Sequence, residues 1–169
     1  MLPKNLNERY KFEKEIGSDY RGNLIRVRDK KSKKTRLLKI VDCPPQLDIN
    51  SINTELKDIE NLRHPNLCFI REVVRVDENQ VGVFMDDHQG SFLKFSMLQL
   101  RENADVFHHA VVQLCKGVDY LHQSGLCHWD IRPETILVSK DQGKFHVAFV
   151  DVGLSFYFDL KKLPDLRDS

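Results

Sequence analysis

Three polar side chains lie close together in the stretch LCHWDIRPETILVS, residues 126–139: Asp130, Arg132 and Thr135. The stretch joins a segment with helical periodicity to an apolar run typical of a strand, so the three side chains are predicted on a loop held between packed elements. Loops positioned in this way often carry catalytic and binding residues. The pattern predicts either a catalytic loop or a loop that has lost its activity.

A lysine and a glutamate form a second candidate group. Lys39 in RLLKIV shares one face of a predicted strand with Leu37, and Glu55 follows Ile52 by three residues on the apolar face of a predicted helix. A buried carboxylate is costly without a cation, so we expect Glu55 to pair with Lys39 and to aim the ammonium at an anion such as a phosphate. Two alternatives stay open: a rotated helix that leaves Glu55 at the edge of the stripe, and a Lys39 that faces solvent.

The elements that must position these residues can be predicted from periodicity and from turn residues. Alternating or compact apolar runs predict strands at 10–17, 23–29, 35–42, 67–76, 81–85, 135–139 and 145–151. Two segments have helical spacing and boundary residues, 44–66 between prolines and 103–125 with Asn103 as N-cap and Gly125 at its end. Strands first and helices later predict an α+β fold with two lobes.

Composition and charge exclude several classes of protein. The chain has 169 residues, 41% of them hydrophobic and 30% charged, with a net charge of +1. We therefore expect no binding to nucleic acid through a global field, and the apolar runs are too short to span a membrane. Four cysteines without a C-x-x-C pair predict reduced thiols, and the N-terminus has no apolar leader. A soluble protein of the cytoplasm, with the nucleus as an alternative, is the expectation.

Five segments, in order, resemble the motifs of the eukaryotic-type (Ser/Thr) protein kinase family. They are IGSDYRGNL for the glycine-rich loop, RLLK for the lysine strand, TELKDIENLRHPNL for the αC helix, YLHQSGLCHWDIRPETILV for the catalytic loop and VDVGLS for the metal motif. The resemblance implies a kinase-like α+β fold, with a β-rich N-lobe and αC helix at 10–87 and the start of a helical C-lobe at 88–169. The whole chain, 1–169, would then be a single incomplete domain.

The resemblance also implies roles for individual residues. Asp130 would be the base that accepts the substrate proton, and Arg132 would take the place of the catalytic-loop lysine. Asp151 would hold Mg²⁺, with Thr135 as a weak second ligand. The implied ATP site consists of Gly17, Gly22, Leu24, Leu37, Lys39, Glu55, the gatekeeper Phe84, the hinge from Met85 to Asp87, and Leu137 as the floor of the adenine pocket. We name residues 17–22 the glycine loop and residues 126–135 the catalytic loop.

Several positions depart from the family pattern. Asp19 replaces the middle glycine and would repel phosphates, by about 4 kcal/mol at ~4 Å and an effective dielectric constant of about 20. Leu37 replaces the alanine above the adenine and Trp129 the arginine of His-Arg-Asp, while Thr135 replaces a metal-binding asparagine and Val152 a phenylalanine. The resemblance covers about the first two-thirds of a kinase domain. We therefore expect exposed apolar surface on the helix at 104–122, which would be either a liability for solubility or a site that a protein partner covers.

Several functions are compatible with these observations. We favour a kinase-fold protein with an ATP site in which phosphoryl transfer to Ser/Thr is weak or lost. An active Ser/Thr kinase is the first alternative, because Lys39, Glu55, Asp130 and Asp151 are all present. A scaffold of the same fold that binds no nucleotide is the second, and a fragment without independent function is the third.

Overall fold

A computed structural model describes residues 2–19, 21–92 and 103–154. The predicted C-lobe beyond residue 154 lies outside the described residues. The strands are β1 (Tyr10–Asp19), β2 (Gly22–Asp29), β3 (Thr35–Asp42), β4 (Leu67–Arg75), β5 (Gln80–Met85), β6 (Ser91–Phe92), β7 (Ile136–Asp141) and β8 (Lys144–Val152). The helices are α1 (Lys4–Arg9), α2 (Ile49–Glu55) and α3 (Ala104–Gln123), with a 3₁₀ turn at Pro133–Thr135. The α+β prediction is confirmed.

The strands form one sheet with the order β1-β2-β3-β5-β4-β8-β7-β6. The first five strands pair antiparallel, with Leu24 opposite Lys39 and Lys39 opposite Val83. β4 then pairs in parallel with β8, so the strand that ends near Asp151 is hydrogen-bonded directly to the N-terminal sheet. This pairing places Asp151 and Lys39 on elements that belong to the same sheet.

The two faces of this sheet carry separate cores. Leu37, Val83 and Met85 belong to the core on the Lys39 side, because register partners point to the same face. Leu38 and Phe84 belong to the opposite core, where the Phe84 ring stacks on Tyr10 with ring centroids 4.5 Å apart. The strand alternation predicted for Lys39 is therefore correct.

Helix α2 is shorter than the predicted helix at 44–66. It begins at Ile49, with the Asp48 side chain accepting from the amides of Asn50 and Ser51, and it ends at Glu55. Residues 56–61 form turns instead of a helix. The Arg71 guanidinium binds the carbonyls of Ile59, Glu60 and Leu62, at 3.0, 3.1 and 2.6 Å, and so fixes the turn that replaces the helix.

Helix α3 follows the prediction closely. The Asn103 side chain accepts from the amides of Asp105 and Val106, and Gly125 has φ +71° after the helix end. Ala110 and Leu121 are buried, whereas Phe107 is 53% exposed and Val111 39% exposed. Part of the apolar face is thus not covered by the residues that the structure describes. None of the described helices is both long and apolar enough to cross a membrane.

Candidate nucleotide site

Lys39 lies at the centre of the candidate site, fully buried and bound by two carboxylates. Its Nζ is 2.6 Å from Oδ2 of Asp19 and also contacts Oδ2 of Asp151. The side chains of both aspartates are buried too, at 1% and 0% exposure. A buried ammonium needs such partners, and both carboxylates that neutralise Lys39 come from within the chain.

Asp19 is turned inward by its own loop. Its Oδ1 accepts hydrogen bonds from the amides of Arg21 (2.9 Å) and Gly22 (3.2 Å), while its Oδ2 faces Lys39. Gly22 has φ +151°, and a Cβ built there would lie 2.0 Å from the carbonyl oxygen of Ile40, so only glycine fits this close approach. The carboxylate of Asp19 therefore binds both the Lys39 ammonium and two loop amides. Backbone amides of this kind are the donors with which such loops bind phosphate.

Asp151 is the second-last residue of β8 and has a left-handed backbone conformation, with φ +63°. Its amide lies 3.4 Å from Sδ of Met85. Burial raises the pKa of Asp151, and the neighbouring Lys39 ammonium opposes that shift. Oδ1 of Asp151 is buried and has no hydrogen-bond partner among the described residues, which leaves it available to a cation.

Asp130 faces two arginines. Its Oδ2 lies 3.2 Å from Nη2 of Arg21 on the glycine loop and 3.2 Å from Nη2 of Arg132. The Arg21 side chain is only 8% exposed and the Asp130 side chain 16%. Trp129, beside it, is 65% exposed and has φ +69°, a costly backbone conformation for a bulky residue.

His128 connects the catalytic loop to β8. One ring nitrogen, Nε2, donates to the carbonyl oxygen of Val150 at 2.9 Å, and Nδ1 accepts from the amide of Asp130 at 3.3 Å. This pattern requires a neutral ring, and burial lowers the pKa of His128 to about 4. The histidine thereby fixes the backbone of Asp130 relative to β8, the strand that contains Asp151.

The predicted ion pair between Glu55 and Lys39 is wrong. Glu55 is exposed at the last turn of α2, and Lys39 contacts Asp19 and Asp151 instead. The cause is the rotation of the helix: Asn53 exchanges two hydrogen bonds of 2.8 Å with the backbone of Val73. These bonds turn Ile52 and Asn53 toward the sheet and Glu55 away from it.

The side chains predicted around an adenine do come together. Leu24, Leu37, Met85 and Leu137 share one core and have no exposed surface. Phe84 does not join them, because β5 directs its side chain to the opposite face of the sheet. The prediction of Phe84 as gatekeeper is therefore wrong, and the next residue, Met85, lies beside Leu37 in the core that would surround the adenine.

The remaining predicted residues serve local structure. Asp87, at the predicted hinge, pairs with Arg26 through bonds of 2.8 and 2.6 Å and accepts from Thr35 at 2.6 Å. The Thr135 hydroxyl is buried and bonds to the carbonyls of Asp130 (2.8 Å) and Arg132 (3.0 Å) within its own turn. The weak metal-ligand role of Thr135 stays a prediction that this geometry does not favour.

Within the described ranges, no group of three or more His, Cys, Asp or Glu residues could hold a metal ion.

Sequence reasoning missed three residues of the site. It treated Asp19 only as a source of repulsion toward phosphate, although the same proximity makes it a partner for Lys39. Arg21 has no pattern of its own in the sequence. His128 could have been found, since a polar ring between apolar elements and beside Asp130 needs hydrogen-bond partners.

The antiparallel N-terminal strands, the buried pair of Lys39 and Asp151 and the loop that carries Asp130 agree with a protein-kinase-like fold, and comparisons with known proteins show it. The model of the protein kinase domain family matches residues 10–166. Calcium-dependent protein kinase 3 of Plasmodium yoelii yoelii is 27% identical over 157 residues, covering 92% of this chain and 29% of that protein. CBL-interacting serine/threonine-protein kinase 15 of Arabidopsis thaliana is 29% identical over 163 residues, covering 94% of this chain and 37% of that protein. Serine/threonine-protein kinase SAPK3 of Oryza sativa subsp. indica is 29% identical over 133 residues, covering 79% of this chain and 40% of that protein.

The chain belongs to the protein kinase domain family. It spans well under half the length of these relatives, between 29% and 40%.

Proposed function

We propose that this chain is a kinase-fold domain that keeps the layout of an ATP site but transfers phosphate to Ser or Thr weakly or not at all. The observation that carries the proposal is the position of the Asp19 carboxylate, 2.6 Å from Lys39 and bonded to the amides of Arg21 and Gly22. The glycine loop thereby supplies its own anion to the donors that would hold a phosphate.

Electrostatics set the cost of nucleotide binding. Lys39 already faces two carboxylates, and each unit-charge contact at ~4 Å is worth about 4 kcal/mol at an effective dielectric constant of about 20. A triphosphate must displace Asp19 from Lys39 and then remain beside that negative charge. We therefore expect weak binding of ATP, with Asp19 as the main opponent.

The adenine slot adds a second cost. Leu24, Leu37, Met85 and Leu137 belong to one core and have no exposed surface, so a base must separate β2 and β3 from β7 before it can enter. Leu37 contributes most to this filling, because an alanine at its position would leave space over the base. Overpacking of this type typically costs 1–3 kcal/mol.

The residues present fit one divalent cation better than two. Oδ1 of Asp151 is buried and open to a ligand, whereas the Thr135 hydroxyl is used within its turn. A bound Mg²⁺ would neutralise phosphate charge, which is the main requirement of phosphoryl transfer. Asp151 would hold this ion, Lys39 would hold the phosphates, and Asp130 would accept the proton of a hydroxyl once released from its arginines.

A thermal melt of the purified chain tests this proposal directly, alone, with ATP, and with ATP plus Mg²⁺. Binding at a hundredfold excess over Kd adds about 2.7 kcal/mol, which is a shift of several degrees. We expect a rise in Tm only at millimolar ATP with Mg²⁺. A Tm that ATP does not change at any concentration would contradict nucleotide binding.

A melt and a phosphate-transfer assay on the same purified chain distinguish two alternatives from our proposal. The closed adenine slot favours a scaffold that binds no nucleotide, which predicts a cooperative melt indifferent to ATP. The presence of Asp130 and Asp151 supports an active Ser/Thr kinase, which predicts transfer of radiolabelled phosphate to a generic protein substrate. Transfer at about 1–100 s⁻¹, the range typical of protein kinases, that is lost in Asp130→Ala would replace our proposal with the active-kinase alternative.

A further inference from the structure

The glycine loop carries a second charged contact that the lysine cluster does not explain. Arg21 lies two residues after Asp19, and its Nη2 lies 3.2 Å from Oδ2 of Asp130 in the catalytic loop. The Arg21 side chain is 8% exposed although it lies near the tip of a hairpin, where arginines are normally solvated. The loop has therefore buried a guanidinium against the position of the catalytic base.

The two contacts match in charge. Asp19 gives an anion to the cation Lys39, and Arg21 gives a cation to the anion Asp130. Both come from one tight turn, in which the Asp19 carboxylate accepts the Arg21 amide at 2.9 Å. A movement of this turn away from the cleft strains both contacts, so the two are coupled.

We propose that Asp19 and Arg21 form a two-point closure in which the glycine loop blocks the phosphate position at Lys39 and the base position at Asp130 together. This inference rests on the proposed function, because it concerns the regulation of the same site. A ligand that opens the cleft must replace both contacts, and a ligand that reaches only one of them leaves the loop closed.

The closure can be measured without nucleotide, which separates it from the test of the proposed function. Trypsin cleaves after arginine, and the Arg21–Gly22 bond becomes accessible only when the loop opens. Asp130→Asn removes the negative charge that faces Arg21 and leaves the Arg21–Gly22 bond unchanged. We expect cleavage after Arg21, measured by mass spectrometry of the peptides that end at Arg21 or begin at Gly22, to become roughly tenfold faster than in wild type, equivalent to about 1.4 kcal/mol.

Asp119→Asn is the matched control, because Asp119 is an exposed carboxylate on α3 and its substitution removes the same charge. Cleavage after the exposed Arg63 serves as an internal reference for general unfolding. Faster cleavage at Arg21 in Asp130→Asn, with Asp119→Asn and Arg63 unchanged, supports the closure. Equal cleavage at Arg21 in Asp130→Asn and wild type overturns it.

A second measurement decides the case in which Asp130→Asn loosens the whole fold and Arg63 is also cut faster. Amide hydrogen exchange of the wild-type chain then compares the glycine loop with the exposed hairpin turn at 30–34. The closure predicts roughly tenfold slower exchange at Arg21 and Gly22 than in that turn. Equal exchange rates in the two segments overturn the proposal.

Discussion

At the residue scale, the Asp19 carboxylate determines whether a phosphate can bind at Lys39. Asp19 stands where the family has a small glycine, and its charge has two effects on a phosphate ligand. It repels the phosphate directly, and it competes for the Lys39 ammonium 2.6 Å away. His128 also supports this site, because its neutral ring accepts a hydrogen bond from the amide of Asp130 and donates one to the carbonyl of Val150.

His128 makes the stability of the chain depend on pH. Burial lowers its pKa from 6.5 to about 4, so the unfolded chain takes up a proton that the folded chain refuses. The stabilisation is complete above pH 6.5 and is lost as the pH falls toward 4. We expect the free energy of unfolding to fall by roughly 2 kcal/mol from this group between about pH 7 and pH 5.

Urea denaturation of His128→Gln across this pH range checks the prediction, and exposed His108→Gln is the control. The slope of stability against pH should become shallower only in His128→Gln. Some slope will remain, because burial also lowers the pKa of His88 to about 4. An unchanged slope in His128→Gln would show that its ring titrates equally in both states.

At the scale of the elements, side-chain hydrogen bonds to backbone determine how α2 sits on the sheet. The Asn53 amide both donates to and accepts from Val73, as a neighbouring strand would. Arg71 then holds the turn after the helix and also pairs with Asp86, at 2.9 and 2.6 Å, beside the predicted hinge. These contacts direct Glu55 to solvent and leave Lys39 to the aspartates.

Asn53→Ala should therefore destabilise the chain by roughly 2 kcal/mol or more, because it leaves both polar groups of Val73 without a partner in a partly buried place. Asn50→Ala, on the exposed side of the same helix, should change stability by less than about 0.5 kcal/mol. Chemical denaturation of the two variants gives the comparison. Equal stability of both would mean that apolar packing alone holds α2.

Local patterns predicted most strands and helix α3, since alternation and caps depend on near neighbours in sequence. The end of α2 and the direction of Glu55 could not be predicted, because Asn53 and Arg71 fix them through contacts with distant strands. Phe84 was placed one residue out of register because the run VGVFM is apolar on both faces and offers no alternation. The partners of Lys39 could not be predicted for the same reason, because the pairing of distant strands brings Asp19 and Asp151 to it.

At the scale of the whole molecule, a single sheet couples the cleft to both halves of the described chain. The parallel pairing of β4 with β8 brings Asp151 to Lys39, and the glycine loop closes over both. An apolar groove of about 430 Å³ lies outside this site, between α3 and the catalytic loop, with Val111, Leu114 and Ile131 among its lining residues. Among the described residues Phe107 and Ile131 are more than half exposed, and a protein partner that covers this face stays a prediction.

The most direct test of the account is the affinity for ATP with Mg²⁺, measured by isothermal titration calorimetry for wild type, Asp19→Asn and Glu15→Gln. Glu15 is an exposed carboxylate on the same strand, so its substitution controls for the general loss of negative charge. If Asp19 occupies the phosphate position, Asp19→Asn should bind at least about tenfold more tightly, a gain of about 1.4 kcal/mol, and Glu15→Gln should bind like wild type. Equal or weaker binding by Asp19→Asn would contradict the claim that this carboxylate closes the site.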